Sequence, residues 1–141
     1  MKTIVVIDGQ GGGIGSSIIK KLRESYAERM EIIALGTNAI ATANMLKAGA
    51  NRGASGQNAI VRTSRHADII IGPISIVMAN AMLGELTPGM AEAVASSKAR
   101  KILIPLSQEN VAVVGVTPDR LPKLIEIMLE EDLLNLTTGK E

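Results

Sequence analysis

Two rhythms of apolar and polar residues succeed each other along this chain, and together they predict an α/β fold. Ile4-Val5-Val6-Ile7 is an unbroken β-branched run, the pattern of a strand buried on both faces in a parallel sheet. After a cluster of glycines, Ile14, Ile18, Leu22 and Tyr26 recur every four residues, while Lys20, Lys21, Arg23 and Glu24 fall off that stripe. That spacing predicts an amphipathic helix. Residues 31–35 read as a second strand. Gly36, Thr37 and Asn38 then supply a turn and an N-cap for a helix carrying Ile40, Ala43 and Leu46 and closed by Gly49.

Residues 50–57 read as a small polar loop. The next segment has two open readings: a short strand over 59–61, or a short helix capped by Asn58 with Ile60, Ser64 and Ala67 on one face. The helix is favoured, because Ala67-Asp68 leads directly into the strand Ile69-Ile70-Ile71, which Pro73 stops. Ile74, Val77, Met78, Ala81 and Met82 have the spacing of a core-facing helix over 74–83, ended by Gly84. Thr87 and Pro88 open another helix, as N-cap and first helical residue, presenting Ala91, Val94 and Ala95. Residues 102–105 and 111–116 read as two more strands. A last helix from about Pro122 turns Leu124, Ile125, Met128 and Leu129 inward and Glu126, Glu130 and Glu131 outward, and a polar tail frays from Asn135.

Strands alternating with helices predict a single Rossmann-like domain over 1–141, an open, mostly parallel sheet with helices on both faces. Ligands of such sheets bind beyond the carboxyl ends of the strands. That rule selects the loops 8–15, 36–38, 72–75 and 106–110. It puts 50–57 at the opposite edge, unless that loop climbs back over the site.

Composition narrows the function classes. Hydrophobic residues make up 46% and charged residues 21%, a globular rather than a disordered balance. Trp and Phe are absent and Tyr26 is the one aromatic residue, so the core is aliphatic and base stacking is not a route to nucleic acid. A net charge of +1 gives no broad attraction to a polyanion, and no nucleic-acid partner is expected. Without Cys there are no disulfides, thiolate metal sites or Cys nucleophile. His66 is the sole His and is expected on the surface beside Arg65 and Asp68, so no His-based metal cluster or triad is expected. The longest apolar stretch, 69–83, is too short for a membrane span and is broken by Gly72, Pro73 and Asn80. The opening apolar run is too short for a signal peptide. These features predict a cytoplasmic protein with no membrane partner. A mean hydropathy of +0.24 predicts apolar surface covered by a copy of the chain, hence a homo-oligomer.

The candidate chemistry centres on Asp8, Gly9, Gln10, Gly11, Gly12, Gly13, Ile14 and Gly15, a Gly-rich loop between a strand and a helix. Glycines permit positive φ and close backbone approach, and the free N–H groups and dipole of the following helix attract a phosphate or other anion. Gly15 also lets that helix sit tightly on the first strand. Four Gly among residues 9–13 exceed the need of a turn, since each costs roughly 0.5–1 kcal/mol relative to Ala. Gly36, Thr37, Asn38, Gly72 and Pro73 join the candidate cofactor-binding set from neighbouring loops, although Gly72-Pro73 also reads as a plain strand terminator. Asp8 has three readings: it binds a ribose hydroxyl, coordinates Mg²⁺, or accepts N–H bonds from its own turn, the last being favoured. Glu109, among Ser107, Gln108 and Asn110, is the best-placed general base, in what also reads as a solvated loop. Arg52 reaches an anion if its loop folds over and is otherwise solvated. Lys98, Arg100 and Lys101 complement a helix C-terminus at the wrong end of the sheet for a phosphate clamp. No catalytic residue is assigned.

The spacing Gly9, Gly13, Gly15 fits G-x-x-x-G-x-G, and residues 1–38 thereby resemble the cofactor loop of short-chain dehydrogenase/reductases. The resemblance implies NAD(P) or another nucleotide as ligand. The chain departs from that superfamily beyond the loop. Tyr26 is followed by Met30 rather than Lys at i+4, and the second strand ends in Gly36, Thr37 and Asn38, without a ribose-binding acid or an Arg for a 2′-phosphate. The strings VIDGQGGGIG, IIALGTNAIATANMLKAGAN, ADIIIGPISIVMANAMLGELTPGMAEAVASSKA and KILIPL are similar over nearly the whole chain to a family of short bacterial proteins known as a domain of unknown function. That resemblance implies a bacterial, cytoplasmic protein and brings no activity. Three readings stand: a nucleotide- or dinucleotide-binding module for a small phosphate-containing ligand, a small enzyme acting on a phosphorylated or carboxylated metabolite through Asp8 or Glu109, and a non-catalytic structural or partner-binding protein.

Overall fold

The computed structural model describes residues 2–116 and 119–133; the tail from Asn135 lies outside them. Strand β1 spans Thr3–Asp8, helix α1 Gly13–Tyr26, β2 Glu31–Gly36, α2 Ala39–Ala48, β3 Arg52–Ser55, α3 Gln57–Ser64, β4 Ile69–Pro73, α4 Pro88–Ser96, β5 Arg100–Ile104 and α5 Leu121–Ile127. A 3₁₀ turn, Ile74–Val77, follows β4, and a π-helical turn, Met128–Leu133, continues α5. The strands form one sheet in the order β3-β2-β1-β4-β5, and every pairing is parallel.

Each central strand is buried on both faces, which is why its sequence is a continuous apolar run rather than an alternation. Ile4 and Val6 face one layer with Ile18, Leu22 and Met45 from α1 and α2 and Leu124 from α5. Val5 and Ile7 face the other with Ile60, Met90 and Val94 from α3 and α4. The expected strands at 4–7, 31–35, 69–71 and 102–105 and the helices after the glycines, after Thr87 and near Pro122 all appear. Thr87 caps α4, its hydroxyl accepting the Met90 N–H at 3.1 Å.

Six expectations are corrected. Residues 50–57 are not a plain loop, because 52–55 form the edge strand β3, paired with β2 from Ile33 opposite Arg52 to Gly36 opposite Ser55. An edge strand needs only backbone partners on one side, so its small polar side chains carry no apolar signal. The helical reading of 58–67 holds, but α3 begins at Gln57 behind Gly56 with no side-chain cap from Asn58. Helix α2 buries Ala41, Thr42 and Met45 rather than Ile40, Ala43 and Leu46; the Ala41 backbone lies against Gly12 of the glycine loop. The expected helix over 74–83 ends after one 3₁₀ turn, because Asn80, Met82 and Leu83 take positive φ of 67°, 59° and 58°. Its apolar residues still divide by layer, Ile76, Ala81 and Met82 being buried and Leu83 99% exposed. Residues 111–116 form no strand: the sheet ends at β5, and Val111, Val113, Val114 and Val116 are exposed. In α4, Met90 turns inward with Ala91 and Val94, and Ala95 is exposed.

Candidate functional site at the carboxyl edge of the sheet

From β1 the chain crosses to β2 on one side, whereas β4 joins β1 on the other. The carboxyl ends of β1 and β4 therefore flank a switch point, where open α/β sheets form a crevice. A cavity of about 270 Å³ lies there, with Asp8 and Gln10 from the glycine loop, Pro73 at the end of β4, Ser75 after it, Met82, and Ser107 and Glu109 after β5 on its walls.

The glycine loop divides into residues the fold needs and residues it does not. Gly12 is the N-cap of α1 with φ 71°, and a Cβ there would stand 2.9 Å from the Ala41 backbone. At Gly15 a Cβ would stand 2.5 Å from the Met45 sulfur and 3.0 Å from the Asp8 Cβ, so this glycine lets α1 close onto β1 as expected. At Gly11 and Gly13 a Cβ would meet nothing within 4 Å. Their N–H groups also donate no hydrogen bond within the described residues, whereas the Gly12 N–H is held by the Gly9 carbonyl at 2.8 Å.

Asp8 takes the place the sequence offers to an anion. Its Oδ2 accepts the Gly15 N–H at 2.7 Å and its Oδ1 the Gly9 N–H at 2.8 Å. Gly12 has no side chain to cap α1, so a carboxylate four residues upstream satisfies the first turn instead. Burial pushes the Asp8 carboxyl above its ordinary value; N–H bonds from Gly15, Gly9 and Ile14 work against this, and the charge of Glu85 adds to it.

Glu85 organises the rest of the edge. Its Oε1 accepts the Thr37 hydroxyl at 2.6 Å, the Gln10 N–H at 2.9 Å and the Asn38 amide at 2.9 Å. The Thr37 bond foremost, then those from Gln10 and Asn38, hold its carboxyl below its ordinary value against the cost of burial. Asn38 also donates to the Gln10 carbonyl and accepts the Ala41 N–H as the cap of α2. Thr37 and Asn38 are thus committed to shaping the loop. Gly36 is buried at the end of β2 and Gly72 within β4, and neither lines the cavity. Sequence reasoning missed Glu85 because it follows a run expected to be helical, which would have carried it elsewhere.

Of the remaining candidates, Ser107, Gln108 and Glu109 reach the cavity wall. Glu109 Oε2 lies 3.4 Å from the Met82 N–H, and its own N–H donates to the Ser107 hydroxyl at 2.8 Å. Arg52 and His66 lie at another cavity, on the sheet face under α3. Lys101 donates to the Ala95 and Ser97 carbonyls beyond α4, the dipole-complementing position expected of it. Among the described residues, no three His, Asp or Glu side chains come together as a metal site.

An all-parallel five-stranded sheet with helices on both faces defines a Rossmann-like α/β protein. The chain belongs to the family described as a domain of unknown function, DUF3842, whose model matches residues 3–136. No curated protein sequence matches it. Among solved structures, a dodecameric FMN-dependent UbiX-like decarboxylase from Escherichia coli O157:H7 shares the fold at a TM-score of 0.51 and 16% identity, over 99% of this chain and 95% of that one. A universal stress protein in complex with cAMP matches at a TM-score of 0.43 and 20% identity, over 72% of this chain and 94% of that one. Among the described residues, no helix is long and apolar enough to cross a membrane.

Proposed function

We propose that the crevice between the carboxyl ends of β1 and β4 binds a small phosphate-bearing ligand of mononucleotide type. The phosphate lies against the open N–H groups of Gly11 and Gly13, and the remainder of the ligand occupies the cavity toward Ser75 and Ser107. The observation that carries this reading is the unused space at Gly11 and Gly13. Packing accounts for Gly12 and Gly15, but nothing in the fold requires a missing side chain at the other two, each of which costs about 0.5–1 kcal/mol against Ala. A cost without a structural return, beside the N-terminus of a 14-residue helix, fits an anion site.

Asp8 narrows the ligand. It already occupies the Gly9 and Gly15 N–H groups, so a phosphate must stand off toward Gly11–Gly13, and a deeply seated pyrophosphate meets a like charge. The cavity of about 270 Å³ also sits just below the usual range of roughly 300–1,000 Å³ for ligand sites. Both features favour one nucleotide over NAD(P). A thermal-shift screen of AMP, FMN, NAD(P) and inorganic phosphate tests the reading. A ligand at 100 times its Kd adds about 2.7 kcal/mol. Gly11→Val and Gly13→Val should leave the unliganded melting temperature nearly unchanged and remove the ligand response. No response to any of these compounds would overturn the reading.

A second reading rests on the two carboxylates that share the cavity, Asp8 with its raised pKa and Glu109. A buried, shifted acid beside a second carboxylate is a candidate acid–base pair. In that case a bound phosphorylated metabolite is turned over, and Glu109→Gln stops turnover while keeping binding. Binding with no turnover leaves the module reading standing alone.

A further inference from the structure

A second cavity, of about 470 Å³, is separate from the carboxyl-edge crevice and arises from the topology. Helix α3 leaves β3 through Gly56 alone and must deliver the chain to β4, beyond β2 and β1. Its eight residues therefore cross over β2 and β1, packing Ile60 on Val5 and Leu35, and the same face of β3 is left bare. Ile33, Ala54 and Ala67 supply the accessible apolar floor over the fully buried Val5 and Leu35, and the short side chain of Ala54 keeps the outer end open. Arg52, Arg62 and His66 stand around it. Arg52 pairs with Glu31 at 3.0 Å, whereas the Arg62 and His66 side chains have no partner among the described residues.

We propose that this groove is a binding site for a small amphipathic anion, a carboxylate or sulfonate carried on a compact apolar body. The body lies on the floor of Ile33, Ala54 and Ala67, and the charged head meets Arg62, with Arg52 and His66 beside it. An uncommitted guanidinium over an apolar floor matches this chemistry on both counts: the floor gains from covering, and the fork-shaped donor pairs with a planar anion. A neutral apolar molecule satisfies only the floor, and a bare inorganic anion only the rim. The site needs neither the glycine loop nor Asp8, so it stands independently of the mononucleotide reading.

Titration of the full chain with 1-naphthoate, followed by calorimetry and amide NMR, tests the proposal, with acetate and neutral 1-naphthamide as controls. Saturable naphthoate binding is expected, with shifts at Ala54, Thr63 and Ala67 and none at Gly11 or Gly13. Naphthamide and acetate should each bind at least tenfold more weakly. Arg62→Gln, at an exposed position, should weaken naphthoate about tenfold, the worth of one charge-assisted hydrogen bond. Ala54→Leu should block the groove on an exposed edge strand. Glu31→Gln should tighten binding by releasing Arg52, a gain that general loosening of the fold would not produce. Equal binding of naphthamide, binding unchanged in both Arg62→Gln and Ala54→Leu, shifts confined to the glycine loop, or a second copy of the chain filling the groove in sedimentation would each overturn it.

Discussion

At the scale of single residues, the decisive side chain is Asp8. Its two oxygens hold the Gly9 and Gly15 N–H groups in a buried setting, and a buried N–H left without a partner costs about 1–3 kcal/mol. Asp8→Ala is therefore expected to cost about 2–4 kcal/mol, read as a fall of roughly 10 °C in melting temperature. Asp8 and Glu85 also pull stability in opposite directions in acid. Glu85 is held below its ordinary value of 4.5, so its contribution is present above that pH and is lost as the pH falls through its lower folded value. Asp8 is raised above 3.8, so its contribution is complete below that pH and is lost as the pH rises through its higher folded value. Glu85→Gln should flatten the acid loss seen in urea midpoints between about pH 5 and 2, and Asp8→Asn should steepen it. The reverse pattern would remove both assignments. Asp8 as a bond acceptor for its own turn was legible in the sequence, because a carboxylate before a glycine turn has donors close by. Its capping of Gly15 was not, since that bond depends on how α1 docks.

At the scale of elements, legibility followed burial. Strands β1, β2 and β4 announce themselves because two covered faces demand unbroken apolar runs, and β5 through its Ile102-Leu103-Ile104 run, buried on one face. Strand β3 is held by one backbone ladder and exposes all four residues, so its sequence carries turn signals instead. The segment after β4 misleads in the opposite sense: Ile76, Ala81 and Met82 are buried as a helix would bury them, yet left-handed residues at 80, 82 and 83 fold the chain back. That fold-back brings Glu85 over the glycine loop, which explains why the main organiser of the site was invisible to periodicity. The α1–α2 junction makes its own prediction. Gly12→Ala forces a side chain into the left-handed region and against Ala41, and should cost about 1–3 kcal/mol. Amide exchange should then quicken in the first turns of α1 and α2 before it does in β4 and β5. A uniform change across the sheet would count against this local coupling.

At the scale of the whole molecule, exposed valines gather in residues 111–116, against Ile74 and Pro105 past the carboxyl ends of β4 and β5. Val114 is 98% exposed in a chain whose mean hydropathy is +0.24, which supports self-association through residues 111–116. Val114→Lys with Val111→Lys should shift sedimentation toward the monomer without lowering the melting temperature of the dissociated chain. An unchanged sedimentation profile would reject this surface. The aliphatic core has a further consequence, for how the protein can be watched. Tyr26 is its one aromatic ring, half-buried at the last residue of α1, beside the layer formed by α1, α2 and α5, with the Arg29 guanidinium 5.8 Å from its centroid. Ultraviolet emission from the folded chain therefore reports one layer and is blind to α3 and α4. Setting that emission beside far-ultraviolet dichroism during denaturation asks whether the two halves of the core melt as one, with no label attached.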